Sequence, residues 1–342
     1  MSKARGLADL GNAYDDGALS NRRINHNGAM QVAQRGTSFT LNSSDAYTLD
    51  RWRSQGTYDA EVLTVEQSTD APDGFGKSLK VTVSTAEATT DADDYHIITQ
   101  KLEGQDLQQL NFGASSAKTL SFSFWVKASV AQTYAISLYQ TNGNKHYSTT
   151  YTVNVANTWE YKTVFITGNT TNGLADDNSQ ELEIGFMLGA GTTYTSGSNG
   201  SWGGAANFAA GASHTFMTTA NATFQITGVQ LEVGDTATPF EHRSYGDELA
   251  RCHRYYQDRT DGIFRSIMYT GDVSSGQTYY TSSTISPEMR VAPTAVLSNI
   301  NTQRFATIGY QSNTQAFRIY SVCNSSGARG IFECEYTLDA EL

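Results

Sequence analysis

The sequence predicts an all-β protein of two domains, and three observations lead to this prediction. Gly and Tyr are abundant, at 30 and 19 residues, whereas only 4 Pro are present. Thr, Tyr, Phe and Val suit pleated strands, while the residues that favour long helices do not dominate the composition. Short segments of alternating apolar and polar residues recur between clusters of Gly, Asn, Asp and Ser, which are the expected turn residues. A length of 342 residues allows about two domains, each with its own core.

The first segment, residues 1–25, is rich in Gly, Asn and Asp and has helical character only from Leu7 to Leu10. Chain ends usually fray unless something ties them down. We expect this segment to be an anchoring arm that is tied down by packing against other subunits of a larger assembly. The alternative is an arm that folds back on its own domain. The candidate anchoring residues are Leu7, Leu10 and Tyr14.

Residues 26–245 contain strands with a period of two residues, which places alternate side chains on opposite faces. The clearest are Ser78–Ser84 and Leu120–Lys127, and in the second of these Trp125 faces away from the apolar stripe. The residues expected to face inward are Leu79, Val81, Val83, Leu120, Phe122, Phe124 and Val126. Several short strands of this kind indicate a sandwich or a barrel rather than a parallel α/β sheet.

Residues 189–211 consist almost entirely of Gly, Ser, Thr, Ala and Asn, with Trp202 and Phe208 among them. A low-complexity loop of this length is often functional or mobile, and we assign it no regular structure.

A short amphipathic helix is expected at Asp247–Gln257, with Leu249, Cys252, His253 and Tyr256 on one face. Strand character then returns in four segments, at residues 279–286, 294–297, 316–322 and 330–336. Residues 246–342 are therefore predicted to form a short helix followed by a smaller β domain.

Charge and hydropathy exclude several classes of function. A net charge of −11 is poorly suited to nucleic acid, whose phosphates must be neutralised by Lys and Arg. No apolar run reaches the roughly 18 residues of a membrane span, and the first residues lack the apolar stretch of a signal peptide. The three cysteines, Cys252, Cys323 and Cys334, suggest reduced thiols, with a Cys323–Cys334 bridge as the alternative.

Two segments resemble motifs of a known family. Asn21–Gly36 (NRRINHNGAMQVAQRG) is similar to the opening motif of many phage tail-fibre and related virion proteins. Val229–Arg243 is similar to the closing strand of the same module, which is followed in that family by a segment like Glu248–Tyr256. The strands around Trp125 and Trp159 look like those of a carbohydrate-binding-module jelly roll. The resemblance covers about residues 20–257, and the remaining domain matches nothing that we can name.

The resemblance implies a jelly-roll sandwich, often trimeric, that is made in the host cytoplasm and assembled into a virion. The first hypothesis for function is therefore a tail fibre that attaches to the host surface, with glycan binding expected from the fold. The alternative is a capsid fibre, decoration protein or tail adaptor with a structural role, held to other virion proteins by residues 1–25. The third hypothesis is a carbohydrate-active enzyme or its binding module. Fold and function remain separate questions.

Sugar binding requires exposed aromatic faces beside hydrogen-bonding side chains. Residues of this type that lie near suitable polar neighbours are the glycan candidates. They are Trp52, Tyr95, Trp125, Tyr139, Tyr147 and Trp202. Coverage by the arm or by a neighbouring subunit is the alternative explanation for Trp125.

Metal and catalytic motifs are weak. Asp91, Asp93 and Asp94 supply the oxygen ligands that calcium prefers, but they lack the spacing of an EF-hand, so a solvated loop is the alternative. The six histidines form no HExxH pattern, and the chain contains no GxSxG elbow for a serine nucleophile. We therefore expect a binding protein without enzymatic activity and without a required cofactor, with structural calcium as the one candidate ion.

Overall fold

Strands form where apolar side chains recur at every second residue, because this period puts them on one side of the pleated backbone. The computed structural model describes residues 22–57, 59, 61–260 and 266–342. Leu7, Leu10 and Tyr14, with nearly all of the expected arm, lie outside the described residues. The chain divides into two units between Arg243 and Ser244. The boundary predicted from the sequence lies two residues later. None of the described helices is long and apolar enough to span a membrane.

The described part of the first unit contains two antiparallel six-stranded sheets, with strands numbered in chain order. The first sheet has the spatial order β1 (Ser38–Leu41), β4 (Val62–Ser68), β5 (Ser78–Thr85), β12 (Thr223–Val233), β7 (Leu120–Ala128) and β10 (Glu160–Ile166). The second has the order β2 (Ala46–Tyr47), β3 (Arg53–Gly56), β6 (Tyr95–Glu103), β11 (Gln180–Ala190), β8 (Thr133–Gln140) and β9 (Lys145–Thr152). Short helical turns occupy Gly104–Asp106, Gln108–Leu110, Thr192–Thr195 and Ala205–Asn207.

The two sheets enclose one apolar core. The Phe186 ring of the second sheet lies 5.5 Å from Phe122 and 4.9 Å from Phe124 of the first sheet, measured between ring centroids. The predicted inward-facing residues of β5 and β7 are all fully buried, as alternation requires. The chain passes repeatedly from one sheet to the other, as in a jelly roll. The predicted all-β sandwich is thus confirmed.

The two segments that carry the family resemblance lie against each other. The Asn25 side chain donates to the Val229 carbonyl at 2.9 Å and accepts from the Leu231 amide at 2.8 Å, so it substitutes for a neighbouring strand. The Ile24 amide donates to the Leu231 carbonyl at 2.9 Å. A Cβ atom on Gly28 would lie only 2.1 Å from the Val229 carbonyl oxygen. These residues are therefore structural, because they close the sandwich beside β12.

The second unit begins with α1 (Tyr245–His253), whose first turn is capped by the Ser244 hydroxyl, which accepts from the Asp247 amide at 3.1 Å. The predicted helix was too long, because Tyr256–Arg259 pairs with a strand instead. Of the predicted face, Cys252 is buried and Leu249 and His253 are half-buried, while Glu248, which was not predicted there, is the other buried residue of the helix.

Seven strands form two sheets among the described residues of this unit. They are β13 (Tyr256–Arg259), β14 (Ile267–Val273), β15 (Thr278–Thr284), β16 (Thr294–Gln303), β17 (Gly309–Ser312), β18 (Ala316–Val322) and β19 (Gly327–Asp339). Strands β13, β14 and β16 pair with β19, while β15 and β17 flank β18. Phe317 stacks on Tyr336 at 4.3 Å between ring centroids, which joins the two sheets in one core. None of the three cysteines, all of which are among the described residues, forms a disulfide bond.

Candidate functional site

Aromatic and polar side chains gather on the outer face of the second sheet of the first unit. In β6, Ile98 and Leu102 point into the sandwich core, so Tyr95 points outward. Strand register places Tyr139 of β8 opposite His146 of β9 and opposite Glu183 of β11. The three side chains therefore share the outer face with Tyr95.

A four-residue turn sets the register of the β8–β9 hairpin. The Asn144 amide donates to the Thr141 carbonyl at 3.1 Å. Gly143 and Asn144 both have positive φ angles, 81° and 49°, which these residue types accept at low cost. The turn consequently brings the Tyr139 and His146 rings to 4.9 Å between centroids.

The low-complexity segment covers part of this face. Its backbone pairs with the sheet at His146 and Gly203, whose amides donate to each other's carbonyls at 2.9 and 2.8 Å. Phe208 lies 5.1 Å from His146 and 5.5 Å from Tyr95, and Tyr194 lies 5.5 Å from Tyr95, between ring centroids. The segment was assigned no regular structure from the sequence, but it forms two short helical turns and packs over the strands.

The covered face contains a cavity of about 260 Å³. Its lining residues are Gln55, Tyr95, Tyr139, Asn144, His146, Glu183, Tyr194, Ala205 and Phe208. Among the described residues that line it, Glu183 is the single acidic side chain, and neither Lys nor Arg is present. The cavity thus combines aromatic faces with amide and carboxyl groups.

Burial sets the protonation of two groups in the cavity. It lowers the pKa of His146 and raises the pKa of Tyr95, so both side chains are neutral near pH 7. The Gln55 amide donates to the Tyr95 hydroxyl at 3.1 Å and accepts from Arg53 Nη1 at 2.9 Å. These bonds fix the orientation of both side chains before any ligand arrives, which reduces the entropy lost on binding.

Two of the six glycan candidates, Tyr95 and Tyr139, meet in the cavity. Two others lie in the core and present no exposed face. Trp52 is fully buried, 6.2 Å from Phe186 between ring centroids, and its indole nitrogen donates to the Asn27 carbonyl at 3.1 Å. Tyr147 is also buried, because it occupies the inward position beside His146 in β9.

The remaining two candidates lie elsewhere and are half-buried. The Trp202 indole nitrogen donates to the Thr167 carbonyl at 2.7 Å, and its ring packs against Tyr147. Trp125 lies on the outer face of the first sheet, where its ring is 5.5 Å from that of Tyr161. Neither residue lines the cavity.

Sequence reasoning missed the other seven lining residues, which are Gln55, Asn144, His146, Glu183, Tyr194, Ala205 and Phe208. The Asn-Gly turn at Asn142–Gly143 was a usable indicator for His146, because a four-residue turn predicts its pairing with Tyr139. No comparable pattern identifies Tyr194 or Phe208, which are placed by tertiary contacts.

An acidic cluster lies at the start of β6. Carboxylate oxygens of Asp59, Asp91 and Asp94 lie within 4.8 Å of one another, while Asp93 is outside this group. Asp94 accepts hydrogen bonds from the Thr57 hydroxyl, at 3.2 Å, and from the Asp91 amide. Oxygen ligands of this kind suit calcium, and calcium at Asp91 and Asp94 stays a prediction.

Three further ionisable groups are buried beside this cluster. The His96 Nε2 atom lies 3.0 Å from Glu61 Oε1. Burial lowers the pKa of His96, against the opposing charges of Glu61 and Asp94. Burial also raises the pKa of Glu87 to about 8, and the hydrogen bond and charge of Asp94 act in the same direction. Glu87 is therefore protonated over much of the neutral range.

The raised pKa of Glu87 predicts that the contribution of this side chain to the thermal stability of the first unit falls as the pH rises. Its folded pKa of about 8 lies above the unfolded value of 4.5, so the stabilisation is complete below 4.5 and is lost as the pH approaches 8. We expect this contribution as the difference between the melting temperatures of the wild type and of Glu87→Gln, which should shrink as the pH rises toward 8 with a chelator present. The comparison is needed because the lowered pKa values of His96 and His146 act in the opposite direction at lower pH. If calcium binds the cluster, adding it at pH 8 should raise the melting temperature, and no change would count against the metal.

No protein-family model and no curated protein matches the sequence. Among solved structures, the enzymatically active domain of bacteriophage CBA120 tailspike protein 4 is 13% identical, with a TM-score of 0.33. The match covers 62% of this chain but only 22% of the tailspike chain.

Two carbohydrate-binding modules from Clostridium thermocellum are also similar. The family 11 module, in complex with a β-1,3-1,4-mixed-linked tetrasaccharide, is 15% identical, with a TM-score of 0.30 over 60% of this chain and 98% of that one. The C-terminal family 22 module of Xyn10B is 12% identical, with a TM-score of 0.35 over 64% and 99%. The assignment of the first unit as a β-sandwich rests on its strand order and packing.

Proposed function

We propose that the chain is a phage virion fibre protein that attaches to the host surface by binding a glycan in the cavity of the first unit. The observation that carries this proposal is the grouping of Tyr95, Tyr139, Tyr194 and Phe208 beside polar side chains. The C–H face of a sugar ring packs on aromatic rings, while its hydroxyls pair with amide and carboxyl groups.

The size of the cavity limits the ligand. Its volume of about 260 Å³ lies just below the roughly 300–1,000 Å³ of pockets that enclose drug-sized molecules. One or two sugar units of a longer glycan therefore fit better than an extended oligosaccharide. The polar groups Gln55, Asn144 and Glu183 then select among sugars by the positions of their hydroxyls.

The virion part of the proposal is supported by the two segments that resemble phage fibre motifs, Asn21–Gly36 and Val229–Arg243. Their described residues pack together and close the sandwich, so they act as one structural unit. Assembly as a trimer and contact with other virion proteins through residues 1–25 belong to the same proposal. The chain acts by binding and leaves the glycan intact.

A glycan array tests the binding. The full chain is applied to bacterial surface polysaccharides and to neutral plant and microbial oligosaccharides. Each glycan that it binds is then incubated with the chain in solution and checked for cleavage. We expect selective retention of a small set of related sugars and no shortened products. If the chain binds none of the surface glycans of susceptible bacteria, attachment through a glycan is contradicted. Release of shorter products would point to an enzyme.

The location of the chain tests the virion role. Virions are labelled with an antibody against the second unit and viewed by electron microscopy. Labelling at the tail is expected for an attachment fibre. Labelling on the capsid would support the alternative of a capsid fibre or decoration protein, and unlabelled virions would contradict both.

A further inference from the structure

A second aromatic surface lies on the outer face of the β15-β18-β17 sheet. Strand register places Tyr280, Tyr320 and Gly309 in one row across the three strands. The adjacent row contains Arg318, which lies opposite Gln311. The alternate residues Phe317 and Ile319 are buried in the core of the second unit. We call Tyr280, Tyr320, Gly309, Arg318 and Gln311 the tyrosine platform.

The two tyrosines of the platform present their rings to solvent. Tyr280 is 51% exposed, and its ring centroid lies 5.8 Å from that of the half-buried Tyr320. A Cβ atom at Gly309 would lie 2.6 Å from the Tyr320 ring. The glycine therefore gives Tyr320 the space to lie across the strand beside Tyr280.

Arg318 gives the platform a positive charge. The carbon of its guanidinium group lies 5.0 Å from the centroid of the Tyr280 ring. Its Nε atom donates to Gln311 Oε1 at 2.6 Å, and Nη2 donates to the same oxygen. Within the described part of the chain, no carboxylate forms an ion pair with Arg318. The edge of this guanidinium that does not contact Gln311 is therefore open to a ligand, even though the chain has a net charge of −11.

We propose that the tyrosine platform binds an anionic saccharide, with a sugar ring against Tyr280 and Tyr320 and the acidic group on Arg318. Exposed tyrosines supply the apolar faces that sugar rings pack on. A guanidinium oriented by Gln311 forms charge-assisted hydrogen bonds with a carboxylate or a phosphate. The site is separate from the cavity of the first unit, which contains Glu183 and no cation among its described lining residues.

Ligand-observed NMR titrations of the full chain test this site. The probes are α-1,4-linked trigalacturonate, the same trisaccharide with its carboxyl groups reduced to alcohols, and glucose 6-phosphate. We expect an anionic probe to bind. Reduction of the carboxyl groups should weaken binding by about tenfold, because it removes one charge-assisted hydrogen bond. Binding of trigalacturonate alone identifies a uronate, and binding of glucose 6-phosphate alone identifies a sugar phosphate.

Variants locate the binding. Arg318→Gln keeps a polar side chain beside Gln311 but removes the charge, and we expect it to weaken binding of the anion by about tenfold. Tyr280→Ser should weaken binding of both charged and reduced sugars. The matched control is Tyr161→Ser in the first unit, where a tyrosine of similar exposure, 46%, should be replaceable without effect.

Equal binding of the charged and reduced trisaccharides would overturn the anionic ligand, and unchanged binding by both platform variants would overturn the location. If neither anion binds, the proposal fails. A smaller oligomer for Tyr280→Ser in light scattering would then assign this face to contacts between copies of the chain. A loss of binding caused by the platform variants is distinguishable from binding in the cavity of the first unit, because these variants leave Tyr139 and Glu183 unchanged.

Discussion

Gly28→Ala is expected to lower the free energy of unfolding of the first unit by about 2–4 kcal/mol. The added Cβ would lie 2.1 Å from the Val229 carbonyl oxygen, so one of the two backbones must move. Movement also strains the bond from the Val229 amide to the Gly28 carbonyl, which is 2.9 Å long, and the bonds of Asn25 to the same strand. Buried backbone groups that lose their partners are costly.

Urea unfolding followed by tryptophan fluorescence measures this effect. All four tryptophans precede Arg243, so their emission reports on the first unit. Gly76→Ala is the matched control, because a Cβ at Gly76 meets nothing within 4 Å. Equal stability of the two variants would show that the segment before β1 does not close the sandwich as described.

Tyr139→Ala is expected to weaken glycan binding by about 10- to 100-fold, because one aromatic ring often supplies much of the binding energy at such a site. The ring lines the cavity and is half-buried beside His146, so its removal leaves the core of the sandwich intact. The measurement is a titration with the glycan selected by the array. Tyr161→Ala, on the first sheet, is the control and should bind as the wild type does. Similar affinities for both variants would remove the cavity from the account.

The alternation of apolar residues was enough to predict the sandwich and its inward faces. It failed where a residue lies at a strand end, because the alternating segment around that residue is then too short to show which face its side chain occupies. Trp52, which stands between Arg51 and Arg53, looked exposed for this reason, yet it directly precedes β3 and is buried. The predicted helix after Ser244 was too long, because Tyr256–Arg259 pairs with β19 instead of continuing the helix.

The candidate site was predicted only in part. Tyr95 and Tyr139 were identified as aromatic residues near polar neighbours, which is a local property. Their partners Glu183 and Phe208 depend on sheet register and on a loop whose composition resembles that of flexible segments. Such contacts join residues distant in sequence, and single-sequence patterns do not encode them.

The claim that the outer face of the second sheet binds a glycan is tested most directly by a crystal structure of the full chain with the selected sugar. The account predicts density for one or two sugar rings in the cavity, packed against Tyr139 and Phe208 and within hydrogen-bond distance of Gln55 or Glu183. A sugar bound elsewhere on the first unit, with this cavity still holding only solvent, would contradict it.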